Sequence, residues 1–383
     1  MKALERPLTI LLLLVLATAI LLHGNLFGPF FSVDDHRYVC FAVAGPWTKV
    51  FQPQRGMFYA PLTYLSFRLD RALFGPAQED VERSFGPPWT DSQSRLGPGL
   101  GSVTVRPVPI RSWAYGPRLM NGVYHLLAGF FLWLFLSRLG AGSGTAAFVA
   151  LAWAVHPLAL ESVAWVCERK NTLCAMFGFA SLAAWTIPWG GLPTRPGDSA
   201  NRPTFPWRLP LVWLLFAAAL LSKVAALSFL PLFVVLEYAA LRQEGFTWRD
   251  GRQWLGALER LSGQLILSGL AAWIGSRVFE YEIAIPPGGS VWTGLLTDSS
   301  IFWRYTRNLL LPLDLSFFYG VDPVRSLGDI AASLETEYDR VADALSSGFS
   351  DHRLVRAPVF GWAIEDVALE RLVRRQCDRC PSA

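Results

Sequence analysis

Residues 156–170, HPLALESVAWVCERK, close a strongly apolar run with a dense group of ionisable side chains: His156, Glu161, Glu168, Arg169 and Lys170. Ionisable groups at the end of a membrane span are costly unless they face a cavity, a partner or a ligand, so by default they mark a site. The plain alternative is a helix end whose long cations snorkel to the interface. A second polar group, Asp34-Asp35-His36-Arg37, follows an earlier apolar run and weighs against that alternative. Carboxylates and cations from separate segments are therefore expected to meet on one side of a bilayer.

Composition points the same way. Of 383 residues, 52% are apolar and 17% charged, with 16 Trp and 26 Phe, against roughly 25% charged in an ordinary soluble domain. The formal charge of +4 is small for this length, and the arginines are scattered between apolar runs rather than massed on one face, so no nucleic-acid partner is expected. The five cysteines are too dispersed for a disulfide framework. Cys377 and Cys380 form a CxxC with no second pair, so no metal site is expected there.

The fold class expected is an all-α, multi-pass membrane protein of about seven spans, at 8–22, 119–136, 145–160, 173–189, 209–221, 224–238 and 261–274. The first run, preceded by Lys2 and Arg6, reads as an uncleaved span in preference to a signal peptide. Between 209 and 241 the formal charges are Lys223 and Glu237 alone. One straight helix of that length would reach about 50 Å, beyond a core of ~30 Å, so a hairpin with Lys223 near its turn is expected. Arg138, then Arg195, Arg202 and Arg208, then Arg242, Arg249, Arg252 and Arg260 fall in alternate short loops, which places those loops and the N-terminus in the cytoplasm. Asp34, Asp35, Glu161, Glu168, Arg169, Lys170 and Lys223 then share the outer side.

Residues 1–320 make a transmembrane domain, with 24–118 as a large outer loop, and 321–383 a polar, partly helical tail. Within the loop, Leu62, Leu65 and Leu69 form one stripe at helical spacing, the mark of an amphipathic helix on the bilayer surface or of a core helix in a small outer domain. Residues 76–116 read as an insertion rich in Gly, Pro and Ser. Asn121 and His125 are four apart on the second span, and so share a face that should point into the bundle.

Taken in order, Asp34-Asp35, the PLTYLSFRLD element from Pro61, Asn121 with His125, the HP-x(3)-ESVAWV-x-ERK element from His156, LLSK ending at Lys223, Leu236-Glu237-Tyr238 and RYTRNLLLPLDLSFFYG from Arg304 resemble the membrane glycosyltransferases of the GT-C superfamily. The nearest group is that of the transmembrane and tetratricopeptide-repeat O-mannosyltransferases and their bacterial relatives. The resemblance implies an inverting enzyme that moves a hexose, mannose among the options, from a polyprenyl-phosphate donor to a hydroxyl acceptor, above all protein, outside the cytoplasm. It implies Asp34 as catalytic base with Asp35 assisting, and Arg169, Lys170, Lys223 and Arg304 as holders of the donor phosphate. His156, Glu161, Glu168, Asn121 and His125 would shape the acceptor side or the pocket. No metal ligands are implied, and a divalent metal is left open as a cofactor. The chain departs from the pattern at Ala60, where a basic residue is usual, and at Arg118, where histidine is usual. Further spans expected after Gly320 are missing, so a truncated, divergent or frame-shifted form is expected. Two other classes stay open: a membrane scaffold without activity, and a transporter, whose two halves should match.

Overall fold

The apolar runs fold as helices in the computed structural model, which describes residues 7–23, 26, 35–43, 46–53, 58–75, 115–186, 207–243, 251–279, 289–310 and 323–330. Among these residues there is no strand. Asp34, the insertion from 76 to 114, Arg195, Arg202, Arg249, residues 311–322, and the tail beyond 330 with Cys377 and Cys380 lie outside the described residues. Two units divide the chain, Met1–Ala284 and Ile285–Ala383.

In the first unit, α1 (Pro7–Leu22) packs on α4 (Tyr115–Arg138) and α5 (Ser143–Val155). Between α1 and α4 come α2 (Asp35–Val43), a 3₁₀ turn (Trp47–Phe51) and α3 (Pro61–Phe74). The short α6 (Ala159–Ala164) and a 3₁₀ turn (Val166–Glu168) lead directly into α7 (Arg169–Trp185). Then follow α8 (Arg208–Ser222), a 3₁₀ turn (Val224–Phe229), α9 (Leu230–Gln243) and α10 (Gly251–Phe279). The centre of the unit is α7, packed most extensively on α4 and α8.

Several boundaries differ from those expected, each for a local reason. The third apolar run stops at Val155 because Pro157 cannot continue a helix. The fourth starts at Arg169, so Arg169 and Lys170 belong to the first turn of α7. The chain breaks at Lys223, whose backbone is extended at φ −160° and ψ 131°. Phe216 and Phe233, on opposite sides of that break, have ring centroids 5.6 Å apart, whereas 17 residues of one helix would separate them by about 25 Å. The chain therefore doubles back at Lys223.

Tyr115–Arg138 and the run Val224–Arg242 are long and apolar enough to cross a membrane. The helices Pro7–Leu22, Ser143–Val155 and Arg208–Ser222 are apolar but shorter. Large apolar side chains point outward around the bundle, Phe148 at 72%, Leu214 at 68% and Ile266 at 69% exposure among them. A protein whose outer surface were water would rarely expose so many. In α3, Leu69 and Leu73 are exposed and Leu62 and Leu65 half-buried, while Thr63, Ser66, Phe67 and Asp70 are buried.

In the second unit, α11 (Val291–Leu310) buries Gly294, Leu296, Thr297 and Asn308 and exposes Trp292, Phe302, Trp303 and Tyr305. The Val324 N–H donates to Thr297 Oγ1 at 3.0 Å, tying the chain after α11 back onto it. Arg304 lies on this helix.

Small residues let α1 approach α4. A Cβ at Gly129 would lie 2.9 Å from Leu14 Cδ2, and one at Gly122 would lie 2.7 Å from Leu22 Cδ1. Gly129→Val is therefore expected to lower the thermal unfolding midpoint in detergent, by an overpacking cost of roughly 1–3 kcal/mol. Gly144→Val, where a Cβ meets nothing within 4 Å, serves as the control and should shift it far less.

Candidate functional site

Arg169 opens α7 with a guanidinium that is 0% exposed. A buried charge of this kind is tolerated only with a countercharge and acceptors for its N–H groups. Asp70 on α3, also 0% exposed, forms the ion pair. Nε donates to Asn121 Oδ1 at 2.7 Å, Nη1 to Ser66 Oγ at 3.2 Å, and Nη2 to the Pro117 carbonyl at 2.6 Å. The Phe67 ring lies 4.4 Å and the Tyr124 ring 5.6 Å from Cζ, which adds cation–π attraction. Arg169 thus joins α3, α4 and α7, and its donors are committed to the protein.

Asn121 and His125 do point into the bundle, at 0% and 2% exposure. Asn121 Nδ2 donates to the Trp165 carbonyl at 3.1 Å, so this one amide orients Arg169 and also holds the turn before it. His125 Nε2 pairs with the Ala154 carbonyl at 2.9 Å and its ring stacks on Trp153, with centroids 4.6 Å apart. Both act as links between helices. Asp35, fully buried, accepts from the Cys167 N–H through Oδ1 at 2.8 Å, pinning the start of α2 to the turn before α7. Arg118 is buried too and donates from Nε to the Ala164 carbonyl at 3.0 Å.

The neighbouring cations are placed differently. Lys170 Nζ donates to Glu168 Oε1 at 2.5 Å. Glu168 Oε2 accepts from Asn171 Nδ2 at 2.7 Å, and Asn171 Oδ1 accepts from Lys223 Nζ at 2.5 Å. One carboxylate and one amide therefore bridge two lysines that are distant in sequence. Thr63 Oγ1 donates to the Ser222 carbonyl at 3.1 Å, which brings α3 beside the break that carries Lys223. Lys170 Nζ also lies 4.6 Å from the Phe58 ring centroid and 5.9 Å from that of Tyr38. It closes a recess lined by Tyr38, Phe58, Thr63, Tyr64 and Phe67, with a volume of about 10 Å³, room for roughly one water.

Glu161 reaches solvent beside this chain of groups. The protein around it raises its carboxyl above the usual range, the Glu168 charge adds to that, and Lys170 and Lys223 oppose it. His156 turns inward on its own loop, its Nδ1 accepting from the Leu158 N–H at 3.2 Å. Among the described residues no three His, Cys, Asp or Glu side chains gather as metal ligands do.

The structure thus brings together Asp35, Asn121, Glu161, Glu168, Arg169, Lys170 and Lys223 at one end of the bundle. Asp34 lies outside the described residues, and Arg304 belongs to the second unit. Asp70, Ser66 and Asn171 are partners that sequence reasoning missed. Thr63, Ser66 and Asp70, spaced by three and four, were legible as a polar stripe opposite the leucines of the same helix.

Asp70→Asn would leave the Arg169 guanidinium buried without its countercharge, which is expected to cost roughly 3–5 kcal/mol. Removing both charges, in Asp70→Leu with Arg169→Met, should recover part of that loss. Thermal unfolding in detergent of the two proteins beside the wild type measures both effects. Comparison of the chain with protein-family models, with curated proteins and with solved structures finds none that matches.

Proposed function

We propose that this chain is a multi-pass membrane glycosyltransferase whose outer end takes a polyprenyl-phosphate-linked hexose and passes the sugar to a hydroxyl, above all one on a protein. The observation that carries this reading is the pair Lys170 and Lys223, bridged by Glu168 and Asn171 beside an aromatic recess. Lys170 sits in the first turn of α7, the positive end of the helix dipole, where a cation is disfavoured and a phosphate is favoured. Two lysines held there by protein carboxylates and amides are suited to exchange those partners for a phosphate. The outward apolar side chains and the two helices long enough to cross a membrane support a lipid setting for the donor.

In the reaction the acceptor oxygen forms the new bond to the anomeric carbon as the bond from that carbon to the phosphate oxygen breaks. The acceptor proton passes to a carboxylate, and polyprenyl phosphate leaves carrying the bonding pair. Lys170 and Lys223 would stabilise the charge that grows on the leaving phosphate. Asp34 keeps the role of base that the resemblance gives it, and Arg304, in the second unit, is given no part in this arrangement. Asp35 and Arg169, committed to the Cys167 N–H and to Asp70, are assigned to positioning the turn and helix that carry Lys170. A scaffold without activity is the second reading, favoured by the small volume of the recess.

Purified protein in nanodiscs, given a panel of labelled polyprenyl-phosphate hexoses, separates the two. Transfer by the wild type is expected, with Asp34→Asn slowing turnover roughly 10²- to 10⁴-fold while donor binding stays. Lys170→Ala should instead weaken donor binding and turnover together, by about tenfold or more for a charge-assisted contact. With Glu161 and Glu168 both ionised, two lysines face two carboxylates and the group is neutral. The raised Glu161 carboxyl takes a proton at a higher pH than an ordinary glutamate, and the group is then positive. Affinity for a polyprenyl-phosphate hexose, a phosphodiester whose own charge stays constant, should therefore strengthen as pH falls through the raised Glu161 range and weaken as it rises. Glu161→Gln should remove that dependence and leave tight binding throughout.

A further inference from the structure

The inner face of α10 carries polar side chains at one helical period. Arg260, Gln264 and Ser268 stand at i, i+4 and i+8, so they line one stripe. Arg260 Nε donates to Glu237 Oε1 at 2.7 Å, tying α10 to α9, and its side chain is 24% exposed. Gln264 is 0% and Ser268 6% exposed. Neither polar atom of the Gln264 amide has a hydrogen-bond partner in the protein, nor does the Ser268 hydroxyl. The indole N–H of Trp213, on α8, is likewise buried without an acceptor, and its pyrrole edge lies against Gly263, the residue before Gln264.

Unmatched polar atoms at this depth are costly, roughly 1–3 kcal/mol each, and in native proteins such atoms are satisfied by protein or by ordered water. A helical serine ordinarily returns its hydroxyl to a carbonyl one turn back, as Ser222 and Ser299 do in this chain. Ser268 does not. The amide supplies donors and an acceptor, the hydroxyl one of each, and the indole a donor, the mixed set that water matches. Leu261 and Phe216 belong to one apolar cluster, against which Trp213, Leu267 and Ala271 pack.

We propose that a narrow water-filled crevice enters the bundle beside Arg260, runs between α8 and α10, and ends at Ser268. The partly exposed Arg260–Glu237 pair is its mouth. Ala271, half-buried against the apolar cluster, closes the far end. From Arg260 to Ser268 the stripe rises about 12 Å at 1.5 Å per residue. The crevice opens away from Lys170 and Lys223: Arg208, whose charge is felt by Glu237 and Arg260, donates to the carbonyl of Trp185, the last residue of α7. It stands whatever the opposite end of the bundle binds.

Single cysteines at four positions test it, in membrane vesicles and in a background with the native cysteines replaced, using a small water-soluble methanethiosulfonate. Gln264→Cys and Ser268→Cys are expected to react. Ala271→Cys, beyond the end of the crevice and against the apolar cluster, and Ile266→Cys on the outward apolar face should react at least about tenfold more slowly, since the reactive thiolate forms only where water reaches. Equal, slow reaction at 264, 268 and 271 would overturn the crevice. Should a variant fail to fold, hydroxyl-radical footprinting of the unaltered protein gives the answer through Trp213. Oxidation comparable to that of the exposed Trp207 supports resident water, and a protected Trp213 contradicts it.

Discussion

A guanidinium with no exposure, that of Arg169, sets the terms for the rest of the bundle. It needs a countercharge and several acceptors within reach at once, and it takes them from Asp70 and Ser66 on α3 and from Asn121 and Pro117 on α4. That demand draws α3 inward, polar face first, and leaves Leu69 and Leu73 exposed. Because α7 begins at Arg169 itself, fixing this side chain also fixes the helix N-terminus that carries Lys170 and Asn171. The buried pair does not have to be a large net source of stability to do this, since its geometry alone restricts how three helices meet.

Charge is sorted along α7 into two layers. The first holds Asp70, Arg169, Lys170, Glu168 and Lys223 around its start. At its end, Arg138 donates to the Ala183 carbonyl at 2.6 Å and Arg208 to that of Trp185, cations at the negative end of the helix where they are favoured. The sixteen steps from Arg169 to Trp185 amount to about 24 Å, close to the ~30 Å of a hydrocarbon core. The side chains between those layers are largely apolar. A bundle with polar ends, an apolar waist and outward leucines has the distribution that a bilayer would select.

Most of the helices were legible because long runs of Leu, Ala, Val and Phe leave little choice of secondary structure, and the hairpin at Lys223 followed from length alone. What the sequence did not disclose is which way the polar groups turn. Arg169 and Lys170 are adjacent and similar in charge, yet one is locked to four protein acceptors while the other borders a recess. The difference depends on a backbone carbonyl of Pro117 and on Asp70, 99 residues away, and no local spacing encodes it. Asp35 is similar: the Cys167 N–H that it accepts from is 132 residues distant. In α3 the leucine stripe drew attention away from Thr63, Ser66 and Asp70, although the polar stripe was equally periodic.

We propose that Arg169 builds, and Lys170 with Lys223 offers, a phosphate-binding end. Hydrogen exchange of the protein in nanodiscs, with and without polyprenyl phosphate, tests it most directly. The expected result is new protection confined to the turn and first turns of α7, residues 166–174, and to the neighbouring segments 58–67 and 222–226. Protection concentrated instead around Arg208, Glu237 and Arg260, or no change anywhere at saturating lipid, would contradict it.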